Sequence, residues 1–192
     1  MAERELLLSG IGGQGVQLAA QVLARAAIVD GREAMLFGSY GGMMRGGNTH
    51  ATVVVADGPV QSPPTVARAW GAIVMHHDYW EFVRDRLRPG SVVLVNSTVF
   101  QGEIAVPGVT VVDVPATDLA LGLEGTMTAS MVMVGALAAA TGFVRLASAE
   151  AAVEQALPSY RTRHVALNHA ALAAGAGAVV AGAHPAWSEV PA

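Results

Sequence analysis

Two glycine-rich turns, each following a short apolar segment, constrain the fold of this chain more than any other feature. The first segment and its turn, ELLLSGIGGQG, cover residues 5–15, and the second turn, SYGGMMRGG, covers residues 39–47. In an open α/β sheet, the loops that follow parallel strands emerge at one edge, where ligands bind. We therefore predict that the two turns face each other across a crevice at that edge.

The first turn has the spacing G-x-G-x-x-G, formed by Gly10, Gly12 and Gly15. Glycines at this spacing let the backbone approach an anion, and the helix that follows supplies unpaired N–H groups. The amide of Gln14 can donate and accept, toward a ligand or toward the backbone of a partner. The same glycines also suit a plain strand-to-helix turn that allows tight packing.

An ordinary dinucleotide site is disfavoured by the residues at the end of the second predicted strand. Such a site needs an acidic residue there, about 20 residues on, to bind the ribose hydroxyls. Ser39 and Tyr40 occupy that place, and Glu33 lies before the predicted strand. The first turn therefore indicates contact with a phosphate or a partner without the usual ribose contact.

The second turn adds a fixed cation, because Arg45 lies among glycines. An arginine can clamp a phosphate or a carboxylate with two hydrogen bonds, although a solvated arginine on a surface loop fits the composition equally well. The pair Met43-Met44 suits an irregular partner surface, or simply a buried loop. The predicted contact residues of the two turns are Gly10, Gly12, Gly13, Gln14, Gly15, Ser39, Tyr40, Gly41, Arg45, Gly46 and Gly47.

The periodicity of apolar residues predicts one α/β domain over residues 1–192, with a mostly parallel but mixed sheet. Strands are predicted at residues 6–9, 34–37, 50–56, 72–76, 92–96 and 109–112, and helices at 16–29, 79–87, 117–121, 126–141, 148–157 and 162–180. The segment 50–56 follows the second turn without room for a crossover helix, so it is predicted to run antiparallel to its neighbours.

Three local signals refine these elements. Pro89-Gly90 is predicted to end the helix at 79–87, and Ser148 to cap the helix at 148–157. The Gly-Ala stretch at 173–182 suits close packing against another helix or subunit, or a frayed terminal segment.

Composition excludes several classes of protein. The net charge is −4 and the eleven basic residues, all arginine, are scattered, which disfavours a nucleic-acid partner. The chain has no cysteine, hence no disulfide, no thiolate zinc site and no ligands for an iron–sulfur cluster. No segment has the pattern of a signal peptide or a membrane-spanning helix, so a cytoplasmic protein is expected.

His76, His77 and Asp78 form the one cluster with potential for metal or acid–base chemistry, at the carboxyl end of a predicted strand. Adjacent residues on a strand point to opposite faces, so without a turn both histidines could not bind one ion. The sequence therefore predicts no catalytic residue and no metal site in this chain. His50, His164 and His169 are interpreted as surface or packing residues.

Taken together, the motifs resemble the gamma subunit of the 2-oxoacid:ferredoxin oxidoreductases. The resemblance spans nearly the whole chain through SGIGGQGVQLAAQVLARAA, SYGGMMRGGNTHATVVV, Gln61-Ser62-Pro63, LRPGSVVLVNS, MTASMVMVGALAAATG and RHVALNHAAL. It implies a Rossmann-like, three-layer α/β/α domain. Either glycine motif alone is common, whereas the two at this spacing are specific.

The resemblance also implies a place in a larger enzyme that oxidatively decarboxylates a 2-oxoacid, usually to an acyl-CoA, and reduces ferredoxin. Thiamine diphosphate, its Mg²⁺ and the iron–sulfur clusters would lie on alpha, beta and delta subunits. This chain would bind none of them alone and would support assembly, active-site closure or handling of coenzyme A. Two alternatives remain open: an independent nucleotide-binding sensor, and a small self-sufficient oxidoreductase with its cofactor in the Gly10 crevice.

Overall fold

The computed structural model describes residues 2–40, 47–63, 65–123, 128–157 and 164–187, without the side chains of residues 39 and 40. Its strands are β1 (Glu3–Ile11), β2 (Glu33–Tyr40), β3 (Asn48–Ala56), β4 (Ala69–Val74), β5 (Leu87–Asn96) and β6 (Thr110–Val114). Its α-helices are α1 (Val16–Val29), α2 (Trp80–Arg84), α3 (Ala116–Gly122), α4 (Ala129–Thr141), α5 (Leu146–Ala156) and α6 (Val165–Gly177), and a 3₁₀ turn, His77–Tyr79, precedes α2.

The strands form one mixed sheet in the order β2-β3-β1-β4-β5-β6. β1, β4, β5 and β6 are parallel to one another, whereas β3 is antiparallel to both β1 and β2. The predicted α/β class, the mixed sheet and the antiparallel third strand are all confirmed. Because β3 lies between β1 and β2, however, the strands that carry the two glycine turns are not neighbours.

The sheet is apolar on both faces, as expected for strands covered on two sides. One face packs against α1, α3, α4, α5 and α6, and holds the larger core, with buried residues such as Leu8, Leu23, Met131 and Leu137. The other face is covered by α2 and by loop segments, and holds a smaller core around Leu7, Val83 and Val93. The second helical layer of this α/β/α arrangement is therefore thin.

α4 and α6 lie almost in backbone contact, which two glycines make possible. A Cβ atom on Gly135 would collide with the carbonyl of Leu172, and one on Gly175 would collide with the carbonyl of Val132. The Gly-Ala stretch thus packs against a helix of its own chain, one of the two interpretations that its sequence allowed.

The prediction of a helix over residues 79–87 that ends at Pro89-Gly90 is wrong. The helix predicted at 79–87 ends at Arg84, and Leu87 already belongs to β5, where it pairs with Ala69 of β4. Pro89-Gly90 therefore lies inside a strand, with Gly90 at a positive φ beside a register shift in the β4–β5 pairing. Both Pro and Gly are tolerated at such irregularities, so they did not mark a helix end here.

Ser148 is not the N-cap of α5, because Arg145 occupies that position. Instead, the Ser148 hydroxyl donates to the carboxylate of Asp30, at the C-cap of α1. The same carboxylate accepts hydrogen bonds from the backbone N and the side-chain Nε of Arg145, at 2.8 and 2.7 Å. Asp30 thereby joins the end of α1 to the start of α5.

In the described part of the chain, no helix is both long and apolar enough to cross a membrane.

Candidate functional site

The site lies where the chain changes direction across the sheet, at the carboxyl ends of β1 and β4. From β1 the chain passes through α1 to β2 on one side, whereas from β3 it passes to β4 on the other side of β1. α1 and α2 pack on opposite faces of the sheet. Ligands of open α/β sheets bind at such a switch point.

The turn after β1 is held closed by Gln14. Its Oε1 accepts a hydrogen bond from the backbone N–H of Ile11 at 2.9 Å, and its Nε2 donates to the carbonyl of Met75 at 3.3 Å. Gly10 lies beneath this bridge, and a Cβ atom there would approach Gln14 Oε1 to 2.7 Å and Met75 Cβ to 2.9 Å. Gln14 therefore joins the ends of β1 and β4, using both ends of its amide within the chain.

The same turn presents the start of α1 to solvent. Gly13 and Gly15 adopt positive φ angles of 106° and 81°, which favour glycine. Gly15 is the N-cap of α1, no side chain caps the helix, and its first turn holds no acidic residue. The partial positive charge of the helix start is left uncompensated by the described side chains, which favours an anion.

The second glycine turn meets the first directly. The N–H of Gly12 donates to the carbonyl of Gly47 at 2.8 Å. This bond continues the β1–β3 pairing by one residue and brings the two turns together at residues 12 and 47, whereas a crevice between the turns stays a prediction. Gly41, Arg45 and Gly46, with the pair Met43-Met44, lie outside the described residues, and only the backbone of Ser39 and Tyr40 is described.

Gln17 makes a second bridge that the sequence did not single out. Its Nε2 donates to the carbonyl of His50 at 2.9 Å, and its Oε1 fills the space where Gly38 has no side chain. This bridge fixes the first turn of α1 against β2 and β3. A glutamine on the first turn of a helix gives no sequence signal for such a contact.

His50 packs against an aromatic ring, which is one of the two interpretations that its sequence allowed. Its ring lies 4.5 Å from that of Phe82, centre to centre. Burial, and secondarily the nearby charge of Arg86, lower the pKa of His50 below its ordinary value, so the ring is held neutral. The Arg86 guanidinium in turn stacks on the ring of Phe82, with its Cζ atom 4.0 Å from the ring centre.

Three buried polar atoms near His50 have no hydrogen-bond partner among the described residues: Ser9 Oγ, Asn48 Oδ1 and His50 Nδ1. Ser9 is fully buried and lies opposite His50 in the β1–β3 pairing, so both side chains face α2. Unsatisfied polar atoms of this kind are costly, and each one calls for an explanation, such as a bound water, an ion or a functional role. They extend the polar part of the site from the first turn towards α2.

The segment after β4 forms the other wall of the site. The backbone leaves β4 in an extended conformation at His76 and then turns into the 3₁₀ helix that begins at His77. The two imidazole rings consequently stack, with centres 4.4 Å apart, and both lie close to the carboxylate of Asp78. The expectation that neighbouring histidines point to opposite faces does not hold here, because the strand ends before them.

Within the described residues, the site has neither a nucleophile paired with a base nor a pair of carboxylates. It offers backbone N–H groups, a helix start, neutral polar side chains and, on the wall after β4, two histidines beside the carboxylate of Asp78. Groups of this kind can bind and position an anion or a partner's backbone.

Comparison with known proteins identifies this arrangement. Residues 5–178 match the model of the pyruvate ferredoxin/flavodoxin oxidoreductase family. The 2-oxoglutarate synthase subunit KorC of Methanothermobacter thermautotrophicus is 35% identical over 161 residues, which cover 81% of this chain and 85% of that protein. The pyruvate synthase subunit PorC of the same organism is 32% identical over 160 residues, which cover 80% and 85%.

A solved structure gives the same result. The gamma subunit of keto/oxoacid ferredoxin oxidoreductase from Geobacter sulfurreducens superposes with a TM-score of 0.80 at 29% identity, over 93% of this chain and 97% of that one. The fold and site thus define a subunit domain of an oxidoreductase complex. The chain belongs to the pyruvate ferredoxin/flavodoxin oxidoreductase family, as a gamma-type subunit. The resemblance in its sequence motifs is confirmed.

Proposed function

We propose that this chain is the gamma subunit of a thiamine diphosphate-dependent enzyme that oxidatively decarboxylates a 2-oxoacid, usually to an acyl-CoA, and passes the electrons to ferredoxin. Its own part is to support assembly, to close over the active site and to position coenzyme A. The observation that carries this proposal is the hydrogen bond between Gly12 and Gly47, which joins the two glycine turns into one rim.

The rim, defined as residues 12–15 together with residue 47, suits a phosphate or a partner's backbone. It combines the uncapped start of α1 with glycines that leave the backbone accessible, and Gly13 is exposed. Coenzyme A carries phosphates that such a helix start would attract. Arg45, from the second turn, is proposed to add a charged hydrogen bond to the same ligand or to a closing subunit.

The cofactors of the reaction are proposed to lie on partner subunits. The chain has no cysteine, so it cannot supply the thiolate ligands of iron–sulfur clusters. When bound to its own subunit with Mg²⁺, thiamine diphosphate supplies the electron sink for decarboxylation. This chain's residues then exclude water and orient the acyl acceptor. Alpha, beta and delta subunits are the proposed partners, with ferredoxin bound to the complex.

The substrate is proposed as a 2-oxoacid without further assignment. Relatives named for 2-oxoglutarate synthase and for pyruvate synthase are 35% and 32% identical to this chain. Similarity to both kinds of relative is expected if the substrate carbon that reacts contacts other subunits. This subunit would then contact only chemical groups that the different substrates have in common.

The decisive experiment is co-expression of the chain with the proteins encoded beside it, followed by native mass spectrometry. We expect one complex that contains this chain, companion chains and bound thiamine diphosphate. The full-length chain purified alone should show no 2-oxoacid oxidation. A chain that stays monomeric in the presence of every companion would contradict the proposal.

An independent nucleotide-binding sensor is the second candidate, and the uncapped start of α1 is the observation that favours it. Calorimetry of the isolated chain with NAD, FAD, ATP and coenzyme A separates the two. A sensor should bind one of these ligands unaided with a Kd of about 1 µM, or about −8 kcal/mol. A gamma subunit should bind them weakly until its partners complete the site.

A further inference from the structure

We propose that His76, His77 and Asp78 form a binding site for one divalent transition-metal ion of the Zn²⁺ type. One potential ligand atom from each residue lies within 4.8 Å of the other two. This group lies on the wall of the switch point formed by the segment after β4, and it is separate from the glycine rim. The site is independent of the function proposed above.

The spacing of the ligand atoms suits a metal ion. Asp78 Oδ1 lies 3.1 Å from His77 Nε2, and Asp78 Oδ2 lies 3.4 Å from His76 Nδ1. Two ligands of a tetrahedral zinc ion, each about 2.1 Å from the metal, are separated by about 3.4 Å. Because an imidazole binds a metal ion in the plane of its ring and the two rings are stacked, at least one ring must rotate for the three residues to surround an ion.

The hydrogen bond of the His77 ring is compatible with a role as a metal ligand. Its Nδ1 lies 3.3 Å from the carbonyl oxygen of Val99, and a carbonyl can only accept, so Nδ1 carries the hydrogen. The Nε2 of a neutral ring then directs its lone pair at the Asp78 carboxylate. Histidine ligands of metal ions characteristically donate their other ring N–H to a carbonyl in this way.

His76 brings a second lone pair to the same place. Its Nδ1 accepts a long hydrogen bond, 3.3 Å, from the backbone N–H of Asp78. Three potential ligand atoms thus converge on one place, where a cation can be bound when both imidazoles are neutral. An incoming ion would replace the long hydrogen bond of His76 and compensate for its loss.

The ligand set selects the class of metal. Imidazole nitrogens suit Zn²⁺, Co²⁺, Ni²⁺ and Fe²⁺, whereas Mg²⁺ and Ca²⁺ prefer oxygen ligands throughout. The three side chains are 20%, 32% and 55% exposed, so an ion can reach them from solvent and water can complete its coordination. Three protein ligands with an open position make an exchangeable site, not a closed structural one.

The test is calorimetric titration of the untagged full-length chain with Zn²⁺. We expect saturable binding of one ion, with affinity at least about tenfold lower in His77→Gln and in Asp78→Asn. His184→Gln and Asp85→Asn are the matched controls, since they remove the same groups outside the site, and both should bind as the wild type does. Circular dichroism identifies any variant that fails to fold, and Asp78→Asn, which keeps the side-chain shape, remains as the second test.

Co²⁺ provides an independent readout of the ligands. Its visible absorption should appear on addition to the wild type and to His184→Gln, and should be lost in His77→Gln. Absence of saturable Zn²⁺ binding in the wild type would overturn the proposal. Equal Zn²⁺ affinity in folded His77→Gln, Asp78→Asn and the wild type would overturn it as well.

Discussion

At the scale of single residues, Gln14 connects the two strands that flank the switch point. Its amide bonds to Ile11 and to Met75. In Gln14→Ala, an N–H and a carbonyl lose their partners in a half-buried place, and we expect the free energy of unfolding to fall by about 1–2 kcal/mol. Urea denaturation measures this change. The exposed Gln101→Ala is the control, and an equal effect in both variants would show that the bridge does not stabilise the turn.

The sequence identifies Gln14 as unusual but does not identify its partners. From the sequence its amide is expected to face a ligand or another subunit, yet Met75, 61 positions away, accepts its hydrogen bond. Glycine spacing reports local backbone shape, so the turn itself could be predicted. Partners distant in the sequence are chosen by strand order, which local patterns do not encode.

Asp30 gives a prediction that depends on pH. Burial of the carboxylate raises its pKa, but hydrogen bonds from Ser148 and Arg145 outweigh burial, and the net pKa is lowered. The folded state therefore binds this proton less readily than the unfolded state. Its stabilisation is complete above the unfolded pKa, about 3.9, and is lost as pH falls through the folded pKa.

In Asp30→Asn we consequently expect unfolding at pH 7 to require about 1–3 kcal/mol less than in the wild type. The gap between the two should narrow as pH falls below about 4. Thermal denaturation across pH measures both effects. The exposed Asp85→Asn should differ little from the wild type at any pH, and a gap in Asp30→Asn that widens in acid would contradict the assignment.

At the scale of secondary-structure elements, the contact between α4 and α6 depends on Gly135 and Gly175. Alanine is the better helix former by about 1 kcal/mol, but at these positions it would force the helices apart. We expect Gly175→Ala to lower the free energy of unfolding by about 1–3 kcal/mol. Gly177→Ala, at the end of the same helix, is the control and should be neutral or stabilising, because a Cβ atom there would meet nothing within 4 Å. If the free energy of unfolding of Gly175→Ala equals that of the wild type, α4 and α6 can move apart at little cost in free energy.

Element boundaries were predictable where one local signal dominated. α1 spans the predicted residues 16–29, because its apolar spacing is regular and Gly31 follows it closely. The start of β5 was missed, since Pro89-Gly90 has the composition of a helix end. The pairing of Leu87 with Ala69, a tertiary contact, decides that this segment is a strand.

At the scale of the whole molecule, Arg45 tests the role of the glycine turns in the assembled enzyme. In Arg45→Ala we expect kcat/KM of the complex to fall about tenfold, the cost of one charged hydrogen bond. Iron content should stay unchanged, because the clusters are proposed to lie on other subunits. Arg25→Ala, an exposed arginine on α1, is the control. Equal turnover in Arg45→Ala and the wild type would remove Arg45 from the mechanism.

The family could be identified from the sequence because its two motifs occur together at a fixed spacing. The arrangement of the site could not, since it depends on β3 entering between β1 and β2 and on the turn that brings His76 and His77 together. Neither feature leaves a periodic signal. The substrate stays a proposal, because no described residue of the site provides chemistry specific to one 2-oxoacid.

The position of β3 also sets an order for folding. Only residues 41–47 lie between β2 and β3, so their pairing closes a small loop and should form early. The pairing of β1 with β3 closes a longer loop, which contains α1 and β2, and should form later. The bond from Gly12 to Gly47 continues the β1–β3 pairing, so it can form only after that pairing exists. A nascent or damaged chain therefore presents no complete rim, and companion subunits that recognise the rim would incorporate only chains that have finished folding.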